Sequence, residues 1–335
     1  MRREVTIGTL RLKSNLLLAP MAGVTDLPFR LLCEEQGIGL ACTEMVSAKA
    51  ILYGNRNTEE LLRRAPGEEP LAVQLFGSEP ELMGEIAAQL EERFSLIDVN
   101  MGCPVPKIVR NGEGSALMQE PARAYEILRM MVRRCRKPVT VKFRAGFDAA
   151  HRNAAEFARM AENAGVSAIT VHGRTREQFY HGKADWNILR EVKQAVHIPV
   201  FGNGDVFCPE DAKRMLEETG VDGIALARGV KGNPWLIGRT LHYLDTGELL
   251  PEPTLPEKLS VIRRHIALMV EYKGEHTAAL EMRKHLSWYT VGMPNSSILR
   301  DRVNHAASTE ELYALCSLLE GASQEDKRGR APSMD

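Results

Sequence analysis

The feature that most constrains this chain is a repeat. A short β-branched or aliphatic run ends in a polar or glycine-rich turn and gives way to a helical stretch. The candidate strands lie at 16–22, 40–46, 71–77, 96–102, 139–146, 168–175, 198–205 and 223–230. Most are too apolar to keep one face in water, the pattern of parallel strands covered by helices. Between strands, Phe157, Met160, Ala161 and Ala164 form one apolar helical stripe, and Ala212, Met215 and Leu216 form another. Gly165 and Gly220 stand where helices need a C-cap, and Pro121 and Pro209 near helix starts. Eight such units in about 240 residues predict an α/β fold of the (β/α)8 TIM-barrel type, which usually takes about 250. An open doubly wound sheet would carry Gly-x-Gly-x-x-Gly after an early strand. Neither Gly112-x-Gly114 nor Gly202-x-Gly204 has the third glycine.

The longest step between strands runs from Leu96 to Val139. Its extra length follows Cys103, in a stretch rich in Gly, Pro and basic residues that reads as a long loop and a candidate lid. Near residue 250 the pattern changes: Pro251, Pro253 and Pro256 punctuate a linker. Beyond it Leu259, Ile262, Ile266 and Met269 make one apolar stripe, and further helices are expected over 276–290 and 308–320. The expected organisation is a catalytic barrel over 1–250, a small all-α C-terminal domain over 251–320, and a disordered tail over 321–335.

Nothing approaches the roughly 18 consecutive apolar residues of a membrane span. The N-terminal MRREVTIGTL lacks the apolar core of a signal peptide, so a cytoplasmic location is expected. Cys33, Cys42, Cys103, Cys135, Cys208 and Cys316 form no CxxC pair, which fits a reducing compartment. No metal-ligand spacing is seen among Cys, His, Asp and Glu. The net charge of −1 does not advertise nucleic-acid binding, although a local basic face would suffice.

Polar residues gather at the strand C-termini: Gln74, Asn100, Lys142 with Arg144, His172 with Arg174, Asn203 with Asp205, and Arg228. In a barrel these ends converge on one mouth. The turns Gly202–Asp205 and Ala227–Gly229 follow the seventh and eighth strands, the usual phosphate site of this fold, though ordinary βα turns account for the same residues. An inward Lys142 is costly unless paired or functional. It suits a Schiff base, a cation beside an electron-rich ring, or a lysine reaching to solvent. His172 suits an acid/base, a phosphate ligand or a structural hydrogen-bonder. Cys103, opening the long loop, is a candidate nucleophile or proton donor. The residues thus point to a barrel enzyme for a phosphate-bearing cofactor or substrate and leave the chemistry open.

These motifs resemble the tRNA-dihydrouridine synthase family, most closely its bacterial B-type branch. The resemblance runs from about Leu16 to about Tyr289. It rests on APMAGVTDLPFR (19–30), VQLFGS (73–78), DVNMGCPVPKIVRNGEGSALM (98–118), VKFRAGF (141–147), VHGRTREQFYHG (171–182), GNGDV (202–206) and GNPW (232–235). LHYLDTGELLP (241–251) and KHLSWY (284–289) carry it into the helical region. The resemblance implies an FMN-bearing barrel and a helical tRNA-binding domain. Pro20, Met21 and Ala22 would line the flavin, and Gln74 and Lys142 would contact its ring. His172, Asn203, Gly204, Asp205, Ala227 and Arg228 would hold the ribityl phosphate region. Ala227 departs from the family, where Gly-Arg is frequent. The implied reaction reduces the C5=C6 bond of tRNA uridines. NADPH reduces FMN, hydride passes to C6, and Cys103 protonates C5. Asn100, Arg144 and Tyr180 would bind the uracil, and Lys107 and Arg110 would add phosphate contacts. In the helical domain the available cations are Arg263, Arg264, Lys273, Arg283, Lys284, Arg300 and Arg302. No protein partner is implied, and a monomer is expected. The competing activities are an FMN barrel that reduces a free pyrimidine, and a Schiff-base lyase using Lys142.

Overall fold

The computed structural model describes residues 4–293 and 296–329. Eight parallel strands form one sheet: β1 (Leu16–Leu18), β2 (Ala41–Ser47), β3 (Leu71–Phe76), β4 (Leu96–Met101), β5 (Val139–Arg144), β6 (Ala168–His172), β7 (Val200–Asn203) and β8 (Gly223–Leu226). From β2 onward each strand pairs with the next, and β8 pairs with β1. A Leu17–Leu40 bridge closes the seam between β1 and β2, so the sheet is a barrel.

Helices cover it as the periodicity requires. Pro121 and Pro209 open helices Pro121–Arg134 and Pro209–Thr219. Gly165 and Gly220 end theirs in the left-handed region, at φ +97° and +73°, where a side chain would be strained.

Sequence patterning does not reveal the N-terminal hairpin, Val5–Ile7 with Leu10–Leu12, because each strand has only three residues. Ile7 and Leu12 are buried with Leu40, Leu96 and Phe201, so the hairpin packs into the barrel's apolar core. The long step after Cys103 is also more ordered than a lid. It holds a helix, Pro106–Arg110, and a 3-10 helix, Gly114–Gln119, with Gly114–Met118 buried. Ser115 explains the anchoring: its amide and its hydroxyl both donate to the Cys103 carbonyl, at 3.1 and 2.9 Å.

The chain divides into two compact units. One runs to Gly229 and includes Leu236–Leu249; the other comprises Val230–Trp235 and the chain from Leu250. The second unit therefore draws in the Gly232–Trp235 motif, which a cut at residue 250 misses. Its helices are Leu255–Lys273, Glu275–Tyr289, Ser296–His305 and Thr309–Gly329. Leu259, Ile262, Ile266 and Met269 are fully buried against Met282 and Leu312, as their spacing predicts. Pro256 lies in the first turn of its helix, behind a Thr254–Glu257 capping box, and not in a linker. The Ser296–His305 helix was not anticipated. The last helix continues through the first part of the expected tail, to Gly329; positions 330–335 lie outside the described residues. Among the described residues no helix is long and apolar enough to cross a membrane.

One strained charge in the barrel unit gives a stability prediction. Glu34 lies in the last turn of helix Leu27–Glu35, and its Oε1 is buried with no hydrogen-bond partner. Burial, then repulsion from Glu68, pushes its pKa from 4.5 to about 7. A carboxyl whose folded-state pKa is raised binds its proton more tightly in the native state, so the stabilisation present at low pH is lost as pH rises through about 7. Glu34→Gln should raise Tm by roughly 2–4 °C at pH 8.5 and change it little at pH 5. Thermal melts at the two pH values check this.

Candidate active site

Alternation along the strands decides which side chains face into the barrel. On β4 these are Leu96, Asp98 and Asn100; on β5, Thr140, Lys142 and Arg144; on β6, Ala168, Thr170 and His172. Cross-strand register aligns them, pairing Asn100 with Lys142, Arg144 with His172, and His172 with Asn203. The polar residues therefore rise together to the C-terminal rim.

Lys142 Nζ donates to Asn203 Oδ1 at 3.1 Å, and Asn203 Nδ2 donates to the Ala225 carbonyl at 2.7 Å. Burial, helped by Arg144, pulls the Lys142 ammonium down to about 8, and Asp98 opposes the fall. His172 is buried, and burial together with Lys142, Arg144, Arg174 and Arg228 holds its pKa well below the ordinary value. It is thus a neutral imidazole at physiological pH, offering an anion one N–H and no charge.

Asp205 organises the corner after β7. Its Oδ2 accepts from Arg174 Nη2 at 2.8 Å and from the Ala184 amide at 2.7 Å; its Oδ1 accepts from Arg228 Nη2 at 3.2 Å. Burial pushes this carboxyl up, but those hydrogen bonds and charges hold it below the usual range. Phe179 and Asp205 are the two non-glycine residues with positive φ among those described, at +52° and +56°. Both are held by arginines: Arg144 Nη1 donates to the Phe179 carbonyl at 3.0 Å, and Arg174 and Arg228 grip Asp205. Strain of this kind persists only where the surroundings enforce it. Here it presents Tyr180, 54% exposed, with Arg144 and Arg228 lying 5.9 and 5.0 Å from its ring centroid.

Cys103 is 9% exposed, and its amide donates to Asn100 Oδ1 at 2.8 Å. Burial raises its pKa above the ordinary 9.0, outweighing the pull of the Val105 amide, Arg144 and Lys142. It is a thiol at neutral pH, suited to giving up a proton and poorly suited to nucleophilic attack. Gly114 packs directly against it: a Cβ there would lie 2.9 Å from the Cys103 carbonyl oxygen and 3.0 Å from its Cβ.

The structure thus brings together Gln74, Asn100, Cys103, Lys142, Arg144, His172, Asn203, Gly204, Asp205 and Arg228 on one rim. At the end of β1, Pro20 and Met21 are half-buried and Ala22 is exposed; Ala227 is half-buried after β8. Lys107 and Arg110 are exposed on the helix that follows Cys103. In the helical unit the basic face is thinner than the composition suggests. Arg263 pairs with Glu320, and Lys273 and Lys284 both face Glu281. A further cation-aromatic pair, Lys231 over Trp288 at 4.0 Å, belongs to that unit.

The sequence profile described as dihydrouridine synthase matches residues 17–325. The chain belongs to the dihydrouridine synthase family. Among relatives within that family, tRNA-dihydrouridine synthase B of Pseudomonas aeruginosa is 41% identical over 307 residues, 91% of this chain and 92% of the relative. The Pseudomonas putida protein of the same name is 42% identical, covering 93% and 92%. A probable tRNA-dihydrouridine synthase of Rickettsia conorii is 43% identical, covering 90% and 91%. Among solved structures, histamine dehydrogenase from Rhizobium sp. 4-9 superposes with a TM-score of 0.53 at 14% identity. It covers 79% of this chain and 50% of its own, a likeness of fold.

Two rim residues were not assigned by sequence. Arg174 is 2% exposed, and besides gripping Asp205 it donates to the carbonyls of His181 and Gly182. Asp98 is a carboxylate within a fully buried strand. An acid amid β-branched and aliphatic neighbours is a legible signal, because such a charge must be partnered or functional.

Proposed function

We propose that this chain reduces the C5=C6 bond of uridines in tRNA, with FMN as its resident cofactor and NADPH as reductant. The observation that carries this reading is a buried thiol, Cys103, on the same rim as a buried lysine and an anion-ready corner. The corner suits a phosphate. Arg174 Nη1 is a buried donor without a hydrogen-bond partner. Gly204, at φ +124°, leaves the space a Cβ would take, 2.7 Å from the Ala184 Cβ. A Cβ on Gly229 would fall 2.2 Å from the Val206 carbonyl oxygen, so backbone approaches closely there too. Lys142 and Gln74 suit the electron-rich edge of a flavin.

In this reading His172, Asn203, Gly204, Asp205, Ala227 and Arg228 hold the ribityl phosphate region, and Pro20, Met21 and Ala22 flank the ring. FMN held there would supply the hydride for uracil C6, with NADPH as the source of its electrons. Asn100, Arg144 and Tyr180 orient the uracil. Cys103 holds the proton destined for C5 at Sγ, and its raised pKa keeps that proton in place until C5 becomes basic. The target uridine must leave its stack to reach the rim. The helical unit contacts the RNA backbone, using cations such as Arg300 and Arg302. The family profile, reaching residue 325, supports treating that unit as part of the catalyst.

The test is to load the purified protein with FMN, supply NADPH and unmodified tRNA, and digest the RNA for mass spectrometry. Uridines that gain two hydrogens are expected. An FMN-loaded, NADPH-reducible protein that left tRNA unchanged but reduced a free pyrimidine would replace this reading. Borohydride trapping of a substrate on Lys142 without flavin would point instead to the lyase.

A further inference from the structure

Four hydrogen bonds run through the barrel in one direction. The amides of Gly102 and Cys103 donate to Asn100 Oδ1 at 3.1 and 2.8 Å. Asn100 Nδ2 donates to Gln74 Oε1 at 2.8 Å, and Gln74 Nε2 donates to Asp98 Oδ2 at 2.7 Å. The Thr140 hydroxyl donates to the other carboxylate oxygen at 2.6 Å. All three side chains of the chain are buried.

The two ends fix its polarity. Backbone N–H groups only donate, so Asn100 must present its oxygen to them and its NH2 to Gln74. An ionised carboxylate only accepts, so Gln74 must present its NH2 to Asp98. The two requirements meet at one arrangement of both amides. Burial pushes the Asp98 carboxyl up, while Gln74, Thr140 and Lys142 favour its charged form.

We propose that Asp98 is a positioning residue: as terminal acceptor it holds the Gln74 amide the way round that the backbone-held Asn100 requires, and so supports both the cofactor-facing amide of Gln74 and, through Asn100, the backbone seat of Cys103. The Gln74 half rests on the FMN reading; the Cys103 half does not. An apolar residue at 98 leaves the buried Gln74 NH2 without its acceptor, so Gln74 can swing away and withdraw the oxygen that Asn100 Nδ2 donates to; Asn100 is then held only by the two backbone amides. A carboxylate at position 100 still accepts from the Cys103 amide but faces Gln74 Oε1. Gln74 must then flip, which sets its oxygen against Asp98. Asparagine at 98 removes that conflict, because its NH2 donates to the flipped oxygen.

The experiment uses two readouts on the full chain. One is the rate of Cys103 alkylation by iodoacetamide in the flavin-free protein, followed by peptide mass spectrometry with buried Cys33 and Cys316 as internal controls. The other is FMN affinity from flavin fluorescence quenching. Asp98→Leu should speed Cys103 labelling and weaken FMN binding, each at least about tenfold, with Cys33 and Cys316 unchanged. Asn100→Asp should do the same, and Asn100→Asp with Asp98→Asn should restore slow labelling but not FMN affinity, since Gln74 stays flipped. The Asn100 pair decides the matter even if Asp98→Leu fails to fold. Unchanged Cys103 labelling in Asp98→Leu, equal acceleration at all three cysteines, or no rescue by Asp98→Asn would overturn the proposal. A wild-type protein that bound no FMN would fail the cofactor reading and leave the labelling result standing.

Discussion

Cys103→Ala should lower the rate of uridine reduction by roughly 10²–10⁴-fold, the usual worth of a positioned general acid. FMN binding and reduction by NADPH should stay within about twofold, because in the proposed reaction the thiol acts only when C5 needs a proton. The side chain is small, so its removal leaves a modest void beside Gly114 and the Ser115 anchor, which holds the carbonyl and not the sulfur. Single-turnover reduction of tRNA by the pre-reduced protein isolates this step. The pH profile adds a second check. With a pKa raised above 9.0, Cys103 retains its proton across the neutral range, so the wild-type rate should show no loss of acid below that value from this group. Full activity in the alanine variant would remove Cys103 from the mechanism whatever the substrate.

Lys142→Met carries the next largest expectation. The ammonium is buried and held by Asn203, and the charge-assisted hydrogen bond it would make to the flavin ring is worth about 1.5–3 kcal/mol. FMN affinity should fall roughly 10- to 100-fold on that basis. The sign of the pH dependence follows from the same group. The charged form that favours an electron-rich ring is fully present well below about 8 and is lost as pH rises through that value. Wild-type affinity for FMN should therefore weaken above pH 8, by up to about tenfold per unit. The methionine variant should bind weakly at every pH. Fluorescence titrations between pH 6 and 9.5 separate the two behaviours. A methionine variant with wild-type affinity would place the flavin elsewhere.

The barrel was legible because parallel strands buried on both faces write themselves as apolar runs, and glycines such as Gly165 and Gly220 punctuate the helices between them. What escaped the sequence was short or conditional. The hairpin of Val5–Ile7 and Leu10–Leu12 is too brief for periodicity, yet Ile7 and Leu12 pack into the barrel core. The segment after Cys103 looks like a loop by composition, and its order comes from tertiary contacts of Ser115 and Gly114 that no local pattern contains. At the rim the motifs marked where polar residues gather but not how they pair. The motif marks Asp205 as a phosphate-region residue, and the structure adds that it is the anchor for Arg174 and Arg228. The positive φ of Phe179, which delivers Tyr180 to Arg144 and Arg228, leaves no trace in the sequence, since phenylalanine does not favour it. In the helical unit, counting Arg263, Lys273 and Lys284 as available charge overlooked the glutamates beside them.

In the proposed reaction this rim passes reducing equivalents to uridine within tRNA. The most direct measurement of that transfer is the visible spectrum of the FMN-loaded protein, bleached anaerobically with one equivalent of NADPH and then mixed with unmodified tRNA. Flavin bands that return with tRNA, and far more slowly with free uridine monophosphate, are the predicted result. Bands that stay bleached with tRNA, or return equally fast with the free nucleotide, would contradict it.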